Sequence, residues 1–271
     1  MHERISAGET SFPGASLAEL GDYWRALAPT CISFVSPTLL NHDLAAVQKL
    51  IADGGYRVET ITHPFMPGQM LSHDEASWAA PREQLSRLID IARTIGARSI
   101  YLLSGGHGTL DWEDAAAAFC KIIAPCAEQA RAAGIALALE PASALHAELH
   151  LAHSLRDTVT LAEMSGLDVC IDYFACWTEA GLRETIARAA PRCAIVQVSD
   201  YVYGDRAYPC RAVPGDGALP LRRLLEWTLA GGYDGAFDLE LLGPRIDREG
   251  RVAAVARGAE VLGGMLRELG A

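Results

Sequence analysis

The feature that most constrains the fold is a regular alternation along the chain. Short apolar runs rich in β-branched residues alternate with longer stretches of helical periodicity, which is typical of repeated βα units around a parallel sheet. Eight such units can be counted, and the predicted strands are Arg4–Ala7, Thr30–Val35, Tyr56–His63, Ser99–Ser104, Ile135–Glu140, Asp168–Tyr173, Cys193–Asp200 and Ala236–Leu242. The predicted helices lie near residues 16–27, 39–53, 80–96, 112–133, 154–165, 178–190, 219–231 and 251–269.

Eight βα units in 271 residues match the size of a closed (β/α)8 TIM barrel of the α/β class. No linker or composition shift divides the chain, so we expect residues 1–271 to form one domain. An open, doubly wound sheet is the alternative, and it would carry a Gly-rich phosphate loop after an early strand. The only Gly-rich strand end, residues 104–108, lacks the GxGxxG spacing, which favours the barrel.

Composition and charge exclude several classes of function. The net charge of -11 argues against a nucleic-acid partner, because a polyanion needs clustered cations. No apolar run reaches the roughly 18 residues that cross a bilayer, and the first residues lack the basic start and apolar middle of a signal peptide. We therefore expect a cytoplasmic protein without membrane association.

The cysteines and lysines narrow the chemistry further. The seven cysteines are an odd number without a CxxC pair, which predicts neither a disulfide framework nor a zinc ribbon. The only two lysines, Lys49 and Lys121, lie in helical patterns rather than at strand ends. A Schiff-base mechanism, which needs a desolvated lysine in the pocket, is disfavoured.

Four consecutive strands direct an oxygen-bearing side chain toward the barrel interior. Alternate side chains of a barrel strand face inward, so apolar residues should occupy one parity and site residues the other. In strand five, IALALE, the outward parity is filled by isoleucine and leucine, and Glu140 has the inward parity. The same reasoning turns Asp172, Gln197 and Glu240 inward on strands six, seven and eight.

Three carboxylates crowded in a medium of low dielectric constant repel one another unless a cation holds them. We therefore predict one divalent metal ion bound by Glu140, Asp172, Gln197 and Glu240. An all-oxygen set favours Mn²⁺ or Mg²⁺, with Co²⁺ or Zn²⁺ as alternatives of softer character. The structural alternative is that each acid only caps a neighbouring loop.

Beyond this pattern, the chain resembles the xylose isomerase-like TIM barrel superfamily of sugar isomerases, epimerases and keto-polyol dehydratases. The resemblance covers nearly the whole chain, and it is carried by Leu139-Glu140-Pro141, Ile171-Asp172, Val196-Gln197-Val198-Ser199-Asp200, Arg211 with Pro214-Gly215-Asp216-Gly217, and Gly232-Tyr233-Asp234-Gly235 leading to Leu239-Glu240. It implies the same four metal ligands, Glu140, Asp172, Gln197 and Glu240. It also implies proton abstraction next to a carbonyl, with Glu140 and Glu240 as the two proton-transfer groups and Arg211 as a hydrogen-bond donor to substrate.

Two departures from the family pattern leave the reaction open. Sugar 3-epimerases usually carry Asp-x-x-His on strand six, and here the histidine is replaced by Ala175. Gln197 replaces a histidine, as in hydroxypyruvate isomerase-like relatives and some 3-dehydroshikimate dehydratases. The leading hypothesis is an isomerase or epimerase of a sugar-type hydroxyketone. The alternatives are a lyase that dehydrates a cyclic keto-polyol, such as a dehydroshikimate or an inosose, and a non-catalytic sugar-binding barrel.

Histidines at the catalytic rim supply further candidates for contact with a small polyol or keto-sugar substrate. His63 ends strand three and His107 follows strand four, so both are predicted to bind substrate. His146 is predicted to bind substrate from a lid after strand five, where it could share a helical face with His150 and His153. The long non-periodic segment 201–219 after strand seven is a second predicted functional loop. Family members commonly form dimers or tetramers, so the resemblance also implies a homo-oligomer.

Overall fold

A closed barrel of eight parallel strands forms the centre of the computed structural model, which describes residues 1–271. The strands are β1 (Ile5–Gly8), β2 (Cys31–Val35), β3 (Arg57–Pro64), β4 (Ser99–Leu103), β5 (Ala136–Leu139), β6 (Asp168–Asp172), β7 (Cys193–Val198) and β8 (Phe237–Leu239). They pair in sequence order, and β8 closes the barrel on β1. The predicted fold is confirmed, and each predicted strand overlaps an observed one.

Eleven helices surround the barrel. They are α1 (Leu17–Leu27), α2 (Ser36–Asn41), α3 (Leu44–Gly54), α4 (Ala79–Ile95), α5 (Trp112–Ala133), α6 (Leu155–Ser165), α7 (Tyr173–Cys176), α8 (Leu182–Ala189), α9 (Leu221–Ala230), α10 (Pro244–Glu249) and α11 (Arg251–Glu268). None is both long and apolar enough to cross a membrane.

The observed helices differ from the predicted set in three places. The helix predicted near 39–53 is divided into α2 and α3, because the Asp43 side chain accepts the Ala45 N–H and begins a new helix. The helix predicted near 178–190 is shorter and is preceded by the single turn of α7. The helix α10 after β8 was not predicted, since its six residues are too few to show a periodicity.

The core divides into two layers that follow the parity of the strands. A cluster of 67 buried residues fills the space between the barrel and the helices. A separate cluster of six lies inside the barrel and contains Cys31, Tyr101, Ala138, Cys170, Ile195 and Ala236. Ile195 and Cys170 have the same parity as Gln197 and Asp172, which agrees with the inward direction expected for those strands.

All seven cysteines are free in this structure.

Candidate functional site

A cavity of about 580 Å³ opens at the carboxyl ends of the strands. Sixteen of its eighteen lining residues come from β5 or later parts of the chain, and Thr62 and Leu103 are the two exceptions. Five predicted site residues are among them: Glu140, His146, Asp172, Arg211 and Glu240. Ligands of (β/α)8 barrels bind at this face, so the cavity is the candidate active site.

The strand ends bring the proposed metal ligands together. Asp172 is the last residue of β6 and is in register with Gln197 on β7. Glu140 and Glu240 directly follow β5 and β8. Both strands stop one residue earlier, and both side chains line the cavity. Sequence parity alone predicted this convergence.

Arg211 lies between two of these acids. Its Nη2 is 2.9 Å from Asp172 Oδ2 and 2.6 Å from Glu240 Oε2, and its Nη1 is 3.2 Å from Asp172 Oδ1. Nη1 also donates to Ser199 Oγ at 3.1 Å, and the guanidinium stacks on the Phe174 ring with its carbon 4.5 Å from the centroid. The side chain is only 12% exposed. Such buried, charge-assisted bonds are strong, so Arg211 is a fixed part of the site.

Gln197 is fully buried beneath the carboxylates. Its Nε2 donates to Glu240 Oε2 and to the Tyr101 hydroxyl, both at 3.0 Å, and its Oε1 accepts from the Cys170 thiol at 3.2 Å. The Tyr101 hydroxyl also accepts a hydrogen bond from Thr62 Oγ1, which lines the cavity. The amide therefore presents nitrogen, not oxygen, to Glu240 in this arrangement.

Burial, together with the excess of acids over bases in the cavity, raises the pKa values of both glutamates. Burial, then the nearby Glu240 and Asp172 carboxylates, raise the pKa of Glu140 well above its ordinary value. Burial raises the pKa of Glu240 to about 7, although the Arg211 guanidinium opposes that change. When all three acids are ionised they face one guanidinium, and the resulting surplus of two negative charges equals the charge of one divalent cation.

The donor chemistry of the site fits a hard divalent ion, because its acids and amide offer oxygen ligands. No three side chains of the His, Cys, Asp and Glu types are arranged in ligand geometry in this structure. Arg211 occupies the space between Asp172 and Glu240 instead. The residue types and the charge surplus therefore fit a metal, while the arrangement is one in which a guanidinium bridges two of the proposed ligands.

The sequence profile of the family described as "Xylose isomerase-like TIM barrel" matches residues 15–264. The chain belongs to this family. No curated protein matches the chain.

Solved structures of the same fold cover almost all of the chain. Protein SMc04130 from Sinorhizobium meliloti 1021 is 21% identical with a TM-score of 0.83, and 98% of each chain is covered. An L-ribulose 3-epimerase is 21% identical with a TM-score of 0.81, covering 98% of this chain and 95% of its own. The IolI protein, described with a bound zinc atom, is 13% identical with a TM-score of 0.80, and 98% of each chain is covered. At these identities the likeness shows the xylose isomerase-like fold alone.

Within this barrel, two predicted substrate-binding histidines do not line the cavity. His63 is 1% exposed, and its Nδ1 is 2.9 Å from Ser36 Oγ while Nε2 has no partner. Burial lowers the pKa of His63 to about 4. His107 lies 3.0 Å from the Leu110 carbonyl and is likewise absent from the cavity wall. His63 lies near the end of β3 and His107 follows β4, and the ends of these two strands contribute little to the cavity.

The segment after β5 differs from its prediction. No helix spans His146, His150 and His153, since a single 3-10 turn covers Ala144–His146 and α6 begins only at Leu155. His146 lines the cavity and contacts the Tyr208 hydroxyl through Nε2, which joins this segment to the loop after β7. His150 is instead fully buried, and burial lowers its pKa to about 3.

Sequence reasoning missed Tyr101 and Tyr208, two side chains that shape the site. Of the aromatic residues near the strand ends only Phe174 and Tyr208 line the cavity, whereas Tyr173 is in the core with its hydroxyl 2.7 Å from Thr228 Oγ1. Tyr101 has the inward parity of β4, so parity could have placed it beneath the cavity. No sequence signal marked Tyr208, because its contact depends on the path of an irregular loop.

Proposed function

We propose that this chain is a divalent-metal-dependent isomerase or epimerase that acts on a sugar-type hydroxyketone. The observation that carries the proposal is the cavity in which Glu140, Asp172 and Glu240 outnumber the single arginine, Arg211. Membership of the xylose isomerase-like family supports it, as do neighbours described as an L-ribulose 3-epimerase and a D-psicose 3-epimerase.

The proposed metal ligands are Glu140, Asp172, Gln197 and Glu240. Mn²⁺ or Mg²⁺ suits their oxygens best, while the zinc atom named for the IolI neighbour keeps Zn²⁺ and Co²⁺ among the ions to be tried. Gln197 would bind through Oε1, so its amide would have to turn over from the orientation in which Nε2 faces Glu240. Asp172 and Glu240, which bond Arg211 in this structure, would be two of the residues that hold the ion.

When bound, the ion would supply Lewis acidity toward a carbonyl and a neighbouring hydroxyl oxygen of the substrate. One of Glu140 and Glu240 would remove the proton from the carbon between those groups, and the other would return a proton to carbon or oxygen. Arg211 would donate to substrate oxygens and stabilise negative charge that develops on them. The apolar wall around Phe174 and Pro209 would exclude water from these groups.

Proton exchange tests the proposal directly. The protein with Mn²⁺ is incubated in D₂O with D-fructose, D-psicose, D-tagatose or L-ribulose, and deuterium at the carbons next to the carbonyl is measured by NMR. We expect exchange in the wild type and a loss of about 100-fold or more in Glu140→Gln and Glu240→Gln, since a general base contributes about that much. Glu148→Gln is the matched control, because Glu148 lies in the same segment but is exposed.

A lyase acting on a cyclic keto-polyol is the second candidate, and Ala175 favours it. Ala175 lines the cavity at the position where sugar 3-epimerases usually carry a substrate-binding histidine. Loss of water would produce the ultraviolet absorbance of a conjugated enone from 3-dehydroshikimate or an inosose. A non-catalytic sugar-binding barrel would instead bind such compounds without exchange or absorbance change, equally in the wild type and in Glu240→Gln.

A further inference from the structure

His150 connects the end of one strand to the backbone of a proposed catalytic residue. Glu140 follows the last residue of β5, where its N–H still reaches the Leu102 carbonyl at a long 3.4 Å. The Glu140 carbonyl oxygen is hydrogen-bonded to the His150 ring, whose Nε2 lies 2.6 Å away. The pairing between β5 and β6 ends at Leu139, so the Glu140 carbonyl is not part of the paired sheet.

The tautomer of His150 is fixed by the hydrogen bond that its second ring nitrogen, Nδ1, accepts. The Ser104 backbone N–H donates to Nδ1 at 2.8 Å. A backbone N–H can only donate, so Nδ1 carries no proton and Nε2–H is the donor to the Glu140 carbonyl. The ring thus connects Ser104, the first residue after β4, to Glu140, the first residue after β5. Both ring nitrogens form hydrogen bonds.

The surrounding segment holds the ring in place. Leu149 accepts the Gly105 N–H at 2.8 Å, and Ala152 accepts the Ala142 N–H at 3.2 Å. A Cβ on Gly106 would lie 2.4 Å from the Ala147 carbonyl oxygen, so only glycine permits this close approach of the two segments. His150 is therefore held from both sides and has no freedom to serve the cavity directly.

We propose that His150 is a positioning residue that fixes the backbone of Glu140 and hence the direction of its carboxylate. This inference rests on the proposed role of Glu140 in proton transfer. A catalytic group displaced by about 1 Å can lose about 100-fold in rate, so the hydrogen bond matters for turnover and not only for folding. The competing explanation is that His150 only closes the segment 141–153 over the strand ends.

Three variants separate these explanations. His150→Leu removes both hydrogen bonds at similar volume, whereas in His150→Gln the amide Nε2 can donate to Glu140 and Oε1 can accept from Ser104. Trp112→Phe is the control for loss of anchoring, because Trp112 Nε1 donates to the Leu151 carbonyl at 3.1 Å without touching Glu140. The urea midpoint, and kcat and KM for deuterium exchange into the ketoses named above with Mn²⁺, are measured for each.

A positioning role predicts that His150→Leu lowers kcat by about 10- to 100-fold with KM within about threefold, and that His150→Gln recovers most of the loss. Trp112→Phe should lower the urea midpoint without changing kcat. If His150→Leu keeps the wild-type kcat per folded molecule, the inference is overturned while the proposed function stands. If the wild type exchanges no proton with any of the ketoses, the proposed function fails and the inference fails with it.

Discussion

Arg211 is the only arginine or lysine in the cavity wall, and two buried acids depend on it. Removing one partner of a buried ion pair leaves an uncompensated charge, which costs about 3–5 kcal/mol. We expect Arg211→Gln to lower the free energy of unfolding by about that amount in EDTA. Added Mn²⁺ should restore part of the loss, because a cation again lies beside the acids.

Urea unfolding with EDTA and with Mn²⁺ measures the effect of Arg211→Gln. Arg257→Gln is the matched control, since Arg257 also pairs with two acids, Asp216 and Glu249, but is 39% exposed. Exposed pairs contribute about 0–1 kcal/mol, so the control should change stability little in either solution. Equal losses in the two variants would contradict the buried character of the Arg211 site.

His63 makes the protein sensitive to acid. Its pKa is about 4 in the folded chain because of burial, below its ordinary value of 6.5. The unfolded chain therefore binds a proton at His63 as the pH falls through 6.5, while the folded chain binds it only near pH 4. The stability that a neutral His63 gives is present above pH 6.5 and is lost as the pH falls toward 4.

Between pH 7 and 5 this loss should amount to ~2 kcal/mol. In His63→Gln the free energy of unfolding should decline less over the same interval, as measured by urea unfolding at each pH. His73→Gln should decline like the wild type, because His73 is exposed. An unchanged slope in His63→Gln would show that the folded chain takes up a proton at His63 over the same pH range as the unfolded chain.

At the scale of elements, one carboxylate organises the loop between β7 and α9. Asp200 Oδ1 accepts the N–H groups of Tyr201 and Leu219 at 2.8 and 3.0 Å, and Oδ2 accepts those of Gly215 and Gly217 at 3.0 Å each. A Cβ on Gly217 would lie 2.3 Å from Asp200 Oδ1, so the loop closes tightly on the acid. The loop that carries Arg211 and Tyr208 is therefore shaped by Asp200.

Replacement of Asp200 by asparagine should loosen this loop. An amide nitrogen would face two backbone N–H groups, which leaves those donors unpaired and costs ~2–3 kcal/mol or more. Limited proteolysis should then cut within residues 201–219 faster than in the wild type. Asp216→Asn, in the same loop but exposed, should be cut at the wild-type rate.

The contact between His146 and Tyr208 joins the loops after β5 and β7 across the cavity. Tyr208→Phe removes the hydroxyl and keeps the ring, whose centroid lies 5.3 Å from that of His146. One neutral hydrogen bond is worth ~1 kcal/mol, so we expect KM to rise by up to about tenfold with kcat nearly unchanged. Tyr203→Phe should leave both constants unchanged, since Tyr203 is 74% exposed and away from the cavity wall.

The sequence was most informative in the strands, where side chains alternate between two faces with a period of two residues. Inward parity predicted the convergence of Glu140, Asp172 and Glu240, because alternation along a strand holds whatever the loops do. It could not predict the burial of His150 or the contact of Tyr208, because these depend on how two irregular segments meet. The break between α2 and α3 was readable in principle, since Asp43 before an apolar run is an N-cap signal.

For the whole molecule, metal binding to the folded state alone should raise its stability. At a Mn²⁺ concentration 100 times the dissociation constant the gain is about 2.7 kcal/mol, and the thermal midpoint should rise by several degrees. Differential scanning calorimetry with Mn²⁺ and with EDTA measures it. Glu240→Gln should lose most of the increase, and an equal increase in that variant would place the ion elsewhere.

The cavity wall comes almost entirely from one half of the chain, so the substrate specificity of such a barrel should depend on that half. Nearly all of the wall comes from β5 onward, so β1 to β4 complete the barrel while contributing almost nothing that a ligand touches. Exchange of the segments 141–153 and 200–214 between relatives should therefore transfer substrate preference. The first half of the chain supports the barrel without shaping most of the cavity, so directed evolution of specificity can leave it unchanged.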